Sequence, residues 1–147
     1  MQPLVIFDLD GTLADLTHRL HYIQRDKPDW DAFHRECYLD TPKAPMVKLA
    51  QRLYAGGAEI WVFSGRSDIV RGATERWLSM NNVPVGALVM RRHGDRTKDC
   101  HLKKKWLEDM WDADRERLIC AVDDRQQVVD MWRDNGVVCL QCAPGDF

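Results

Sequence analysis

The apolar residues of this chain fall in short, nearly unbroken runs separated by longer stretches with helical spacing. Five runs read as strands: Leu4–Phe7, Glu59–Phe63, Ala87–Met90, Leu118–Val122 and Val137–Leu140. Runs this short without an alternating polar face belong to strands covered on both sides. Helices are expected between them, over about Ala44–Leu53, Asp68–Asn81, Asp99–Trp111 and Gln126–Asn135. Gly56-Gly57, Asn81-Asn82 with Pro84, and Asn135-Gly136 supply the stops. Strands alternating with helices predict an α/β architecture, a parallel five-stranded Rossmann-like sheet between two helical layers. The segment from Asp15 to Pro45 breaks the rhythm. With Trp30, Phe33, Tyr38 and the Asp40-Thr41-Pro42 turn, it reads as an insertion after the first strand. It is long enough for a flap or one or two short helices, and too short for a second domain, so residues 1–147 are expected to form one domain.

Composition narrows the partners. The chain has 147 residues, 45% hydrophobic and 30% charged, with a formal charge of −2. No global basic field exists, so nucleic acid would have to be met by a local patch. The one basic cluster is Arg91-Arg92-His93 through Arg96, Lys98 and Lys103-Lys104-Lys105. Five cysteines without framework spacing, no leader before the first strand and no apolar run approaching ~20 residues predict a reduced, cytoplasmic protein with no membrane segment. Cys139 and Cys142 form a lone C-x-x-C, and Cys120 and Cys139 read as small hydrophobes. Trp61, Trp77, Trp106 and Trp132 fall inside elements and read as packing, which leaves Trp30 and Tyr22 as candidates for stacking on a base. His18 and His21 read as surface or capping residues.

Reactive residue types collect where the strands end. Asp8-Leu9-Asp10-Gly11-Thr12 follows the first strand, Ser64-Gly65-Arg66 the second, a basic loop leading to Lys103 the third, and Asp123-Asp124 the fourth. Ligands of open parallel sheets bind at these carboxyl ends. Four carboxylates in one crevice, Asp8, Asp10, Asp123 and Asp124, repel one another, by about 4 kcal/mol per pair at 4 Å and an effective dielectric near 20. A divalent cation relieves that repulsion, and carboxylates with water and substrate oxygens are the Mg²⁺ ligand set. The Ser64 hydroxyl, the Gly65 amide and the Lys103 ammonium suit a phosphate held against these acids. Phosphoryl transfer through an aspartyl-phosphate is the natural scheme, one carboxylate attacking and a second moving the proton.

In order and type, the four motifs resemble those of the haloacid dehalogenase superfamily of phosphatases over essentially the whole chain. The resemblance implies Asp8 as nucleophile, Asp10 as general acid/base, Ser64 and Lys103 as phosphoryl-binding groups, and an acidic pair, Asp123 and Asp124, on Mg²⁺. Within that superfamily, Val5 through Ala14, Ser64-Gly65-Arg66, Gly94 through Asp99, Val122 through Arg125, Gln127 through Trp132 and Gly145-Asp146-Phe147 resemble the phosphatase domain of phage-type polynucleotide kinase/3′-phosphatases. That closer match adds Arg19, Arg66 and Asp99, so that the expected substrate-binding set is Thr12, Arg19, Ser64, Gly65, Arg66, Asp99 and Lys103. Asp99 would open the third helix and cap its amides or tether Lys103 one turn on.

No Gly-x-x-x-x-Gly-Lys-Ser/Thr loop occurs, so the sequence offers only the phosphatase half, and any kinase would be a separate partner. The expected activity is Mg²⁺-dependent removal of 3′-phosphate from nucleic acid ends. The alternatives are a small-molecule phosphatase such as a nucleotidase, acting on a phosphorylated nucleotide, and a non-catalytic phosphate-binding subunit. Both motif-one aspartates being present argues against the last, since a binder needs neither nucleophile nor acid.

Overall fold

A computed structural model describes residues 1–147. The strands are β1 (Leu4–Phe7), β2 (Ala14–Asp15), β3 (Thr41–Pro42), β4 (Glu59–Ser67), β5 (Ala87–Arg91), β6 (Leu118–Asp123) and β7 (Cys139–Gln141). The α-helices are α1 (Trp30–Arg35), α2 (Ala44–Ala55), α3 (Arg71–Met80), α4 (Asp99–Asp109), α5 (Asp112–Glu116) and α6 (Gln126–Asp134). The main sheet has five strands in the order β5-β4-β1-β6-β7, with every neighbouring pair parallel.

The near-continuous apolar character of β1 follows from its place at the centre of that sheet. Val5 and Phe7 face one layer, packing with Val47 and Ala50 of α2 and Trp77 and Leu78 of α3. Leu4 and Ile6 face the other, with Leu107 of α4 and Val128, Val129 and Trp132 of α6. From β1 the chain builds outward to β4 and β5, then returns to add β6 and β7 on the other side. The switch point therefore lies at the carboxyl ends of β1, β4 and β6.

The expected elements form; the last strand starts at Cys139 rather than Val137, and three further differences are local. The second strand runs nine residues, through Ser64-Gly65-Arg66 to Ser67, because a register shift against β5 lets the chain bulge and still pair at Ser67 with Arg91. The helix expected from Asp68 starts as a 3₁₀ turn, Asp68–Val70, before α3. The helix from Asp99 stops at Asp109, and the separate short α5 follows it. The insertion contains two 3₁₀ turns, Thr17–Tyr22 and Glu36–Leu39, around α1, whose N-terminal amides are capped by the Asp29 carboxylate accepting from Ala32 N at 2.9 Å. Its ends are tied by β2 and β3, an antiparallel two-stranded ribbon. No helix is long and apolar enough to cross a membrane.

Candidate active site

Asp8 follows the last residue of β1 and stays tied to the sheet, its amide donating to Val122 O at 2.9 Å. The chain then turns tightly, with Leu13 N donating to Leu9 O at 2.9 Å and Gly11 N to Ala14 O at 2.9 Å. Gly11 sits at φ +85 against the Asp124 carboxylate, so any side chain there would be strained in backbone and would collide with that acid. The glycine of the motif thus brings the loop after β1 onto the loop after β6.

One oxygen from each of Asp8, Asp123 and Asp124 lies within 4.8 Å of the others. Lys103 reaches in from α4, fully buried, with Nζ 2.7 Å from Asp8 Oδ1, 2.9 Å from Asp123 Oδ2 and 3.7 Å from Asp99 Oδ2. The Thr12 hydroxyl lies 3.2 Å from Asp8 Oδ2 and 3.3 Å from Asp124 Oδ1, and donates to one at a time. Asp123 accepts through Oδ1 from the Asp124 amide at 2.9 Å and the Arg125 amide at 3.3 Å. Burial, then the adjacent Asp123, push the Asp8 carboxyl well above its ordinary range. Burial raises Asp124 as well. For Lys103 burial acts to lower the affinity for a proton, and Asp123 and Asp8 outweigh it, so the ammonium is held. Three clustered hard oxygen donors are the donor set a small divalent cation satisfies.

Asp10, expected as a fourth metal ligand, is not part of that cluster, because two arginines draw its carboxylate the other way. Its Oδ1 accepts from Arg19 Nη2 at 2.7 Å, Arg66 Nε at 3.0 Å and Arg66 Nη2 at 2.7 Å. Burial alone would raise the Asp10 carboxyl, but Arg66 and Arg19 overcome it and hold Asp10 well below the usual carboxylate range. Both arginines are completely buried, Arg19 delivered by the insertion and Arg66 by the bulge in β4.

The remaining predicted residues are placed as follows. Ser64 is buried within β4, just before the bulge, its Oγ accepting from the Arg66 amide at 3.2 Å. Gly65 packs so closely on Asp99 that a Cβ would collide with the Asp99 carboxylate. Asp99 lies in the first turn of α4 and tethers Lys103, as its spacing suggested. Arg91 of the basic cluster turns inward, donating to Gly65 O, Asp95 O and Thr97 O at 2.8, 3.1 and 2.6 Å, and so shapes the loop. Lys104 and Lys105 stay on the surface, paired with Glu108 and Asp109. Trp77 and Trp132 are core, while Trp30 is half exposed. Cys139 is buried and its thiol is pushed up to about 12 by burial, as befits a small hydrophobe.

Two residues at the site were missed. Asp40, read only as a turn former, is buried and bonds both arginines. His34 is buried on α1 with Nδ1 unpartnered, and burial lowers it to about 4. Neither sits in a local motif. Their roles depend on how the insertion folds back, which periodicity does not report.

A parallel sheet with these acids at its switch point, without a large cap, defines a phosphatase of the haloacid dehalogenase type. Residues 2–147 match the model of the polynucleotide kinase PNKP phosphatase domain, and the chain belongs to that family. It is similar to a chain of the Pnkp1/Rnl/Hen1 complex, with 32% identity, a TM-score of 0.82 and coverage of 99% of this chain and 48% of that one. A chain of the Pnkp1/Rnl/Hen1 RNA repair complex gives 32% identity and a TM-score of 0.79, over 99% of this chain and 44% of that one. The present chain thus spans about half the length of these relatives. The class C acid phosphatase from Bacillus anthracis shares the fold at 13% identity and a TM-score of 0.70, over 99% of this chain and 68% of that one.

Proposed function

We propose that this phosphatase removes 3′-phosphate from nucleic acid ends, with Mg²⁺ held by Asp8, Asp123 and Asp124, as an end-healing step in repair. The observation that carries the chemistry is the pairing of Asp8 and Asp10 at one strand end. Asp8 sits beside Lys103 and the acidic pair, and Asp10 has one oxygen fixed by two arginines and the other free of hydrogen bonds. Membership of a polynucleotide kinase phosphatase family and likeness to RNA-repair assemblies support a nucleic acid end as substrate. A kinase or ligase activity on a partner or on further chain would complete such an assembly. The five cysteines, all free, go with a reducing compartment such as the cytoplasm.

In this mechanism an Asp8 oxygen attacks phosphorus, the bond from phosphorus to the ester oxygen breaks, and Asp10 gives that oxygen its proton. Water then attacks the aspartyl-phosphate and passes a proton to Asp10, which restores the Asp8 carboxylate and the Asp10 acid and releases phosphate. A bound Mg²⁺ would neutralise phosphoryl and carboxylate charge. Lys103 and Ser64 bear on the phosphoryl oxygens, and Thr12 holds Asp8 in line. The arriving phosphoryl dianion also raises the proton affinity of Asp10, countering the two arginines.

The test is phosphate release, with and without Mg²⁺, from 3′- and 5′-phosphorylated oligonucleotides and 3′- and 5′-mononucleotides. Mg²⁺-dependent release that favours the 3′-phosphorylated oligonucleotide is expected. Equal or faster release from mononucleotides would make the protein a nucleotidase.

A further inference from the structure

Arg19 and Arg66 have no donor nitrogen left over. Arg19 gives Nε to Asp40 Oδ1 at 2.8 Å, Nη1 to Phe33 O at 3.1 Å, and Nη2 to Asp10 Oδ1 and Asp40 Oδ2, both at 2.7 Å. Arg66 gives Nε and Nη2 to Asp10 Oδ1, Nη2 also to Asp40 Oδ2 at 2.8 Å, and Nη1 to Thr74 Oγ1 at 3.2 Å. A phosphate-binding arginine keeps a free edge for the ligand, and neither of these does. What they hold instead is one oxygen of Asp10, fixed from two directions.

Asp40 makes that arrangement possible. Its carboxylate is wholly buried between the two guanidinium groups. Two buried arginines sharing one acid would repel each other and leave a net charge inside the protein, and breaking such a buried pair is strongly destabilising. With Asp40 the group of four is neutral and each arginine is gripped from both sides. Asp40 is itself fixed, because Trp77 Nε1 donates to its backbone oxygen at 2.7 Å and His18 Nε2 contacts Oδ1 at 2.7 Å.

We infer that Asp40 is a positioning residue for leaving-group protonation: by locking Arg19 and Arg66 it fixes the rotamer of Asp10 and aims the free Asp10 oxygen at the ester oxygen. Arg19 and Arg66 are then orienting groups for Asp10, in place of the substrate-binding role the resemblance implied. The inference rests on Asp10 acting as the general acid of the proposed reaction.

The isosteric variant Asp40→Asn tests it with two esters of similar size, p-nitrophenyl phosphate and p-nitrobenzyl phosphate. The first has a leaving group stable without a proton, and the second needs one. The parameter kcat/KM stops at the first irreversible step, so it reads ester cleavage alone. We expect Asp40→Asn to lower kcat/KM for the benzyl ester about tenfold or more, within the span of general acid catalysis, and to change the phenyl ester by less than about threefold. A second readout needs no activity. The Nε–H signals of Arg19 and Arg66 in nitrogen-edited NMR should broaden or shift in Asp40→Asn, while that of Arg91, which donates to Gly65 O at 2.8 Å, stays. Equal losses on both esters would overturn the positioning role and leave Asp40 a structural acid, and so would unchanged arginine signals. If the wild type hydrolyses neither ester in an Asp8-dependent way, the proposed reaction itself fails. Loosened arginine signals would then still establish that Asp40 locks the pair.

Discussion

Asp8 and Asp10 lie two residues apart on one loop, yet the fold gives them opposite surroundings. Asp8 meets Asp123 and Asp124 from the loop after β6, with Lys103 as the close cation, and its carboxyl is pushed up. Asp10 meets two arginines and one further acid, from the bulge in β4 and from the insertion, and its carboxyl is held down. Environments that push two carboxyl groups apart are how a fold divides chemical roles between them. The Asp8 side is short of positive charge and suits a cation. The Asp10 side is balanced and closed, and suits a group whose orientation must not vary.

The most severe way to break the comparison is Asp8→Asn. With Asp8 as the proposed nucleophile, its loss should lower phosphate release by at least about 10⁴-fold, on the scale of nucleophile deletions. The melting temperature should stay near the wild type, since the change removes a buried negative charge from among like charges. An Asp8→Asn protein that turns over at wild-type rates would falsify the assignment of the nucleophile.

Lys103→Met comes next. It leaves Asp8 and Asp123 without the cation 2.7 and 2.9 Å away and deprives the phosphoryl group of a fixed charge. A loss of about 10²–10³ in kcat/KM is expected, as when a single group stabilising transition-state charge is removed. A loss under threefold would mean that Lys103 only balances charge in the free protein.

The two sides also differ in how much the sequence told. The Asp8 side is assembled from residues that each belong to a recognisable motif following a strand: Asp8, Thr12, Asp123 and Asp124 close to the strand ends, and Lys103 on the helix α4 beyond β5. Their convergence follows from parallel topology alone, which is why strand placement carried them together. The Asp10 side is assembled by a segment with no clear periodicity. Arg19 entered only through a family resemblance, Asp40 read as a turn and His34 went unnoticed. The strand order was likewise unread. The length of β4 was underread because Ser64-Gly65-Arg66 is polar, and its pairing past the bulge depends on β5. Apolar pattern reports which residues are covered. It does not report buried polar residues whose partners lie across the fold, such as Asp40 with Arg66.

His34 sharpens the contrast through stability. Burial lowers it to about 4, against 6.5 for a free histidine, so the unfolded chain binds the extra proton between those values. Its contribution therefore makes the fold more stable as pH rises from 4 to 6.5, and the stability is lost as pH falls through that window. The raised Asp8 acts with the opposite sign above its unfolded value, so the wild type alone is not diagnostic. The difference between wild type and His34→Leu isolates the histidine. In urea unfolding it should grow in favour of the wild type, by on the order of 3 kcal/mol from pH 4 to pH 7. A pH-independent difference would mean that His34 takes up its proton as readily folded as unfolded, so that burial beside the Asp10 cluster does not exclude its charge.

The smallest effect belongs to the lysine next door. Lys104 shares the run Lys103-Lys104-Lys105, and the run alone does not say which member enters the site. Helical geometry does, because consecutive residues diverge by about 100° around the axis. Lys103 takes the buried position beside Asp8, while Lys104 is half exposed and pairs with Glu108 at 3.2 Å. A lysine preceding the acid by four residues is the weaker orientation of a surface helix pair, worth about 0.2–0.5 kcal/mol. Lys104→Met should therefore leave both stability and mononucleotide turnover within about twofold of the wild type, a gap from Lys103→Met that a single position in sequence produces. A loss confined to oligonucleotides, relieved by added salt, would put the outer face of α4 on the path of the strand, since phosphate contacts weaken as salt rises. The positive charge beside Asp8 would then serve the reaction, and the charge one residue on would serve the polymer.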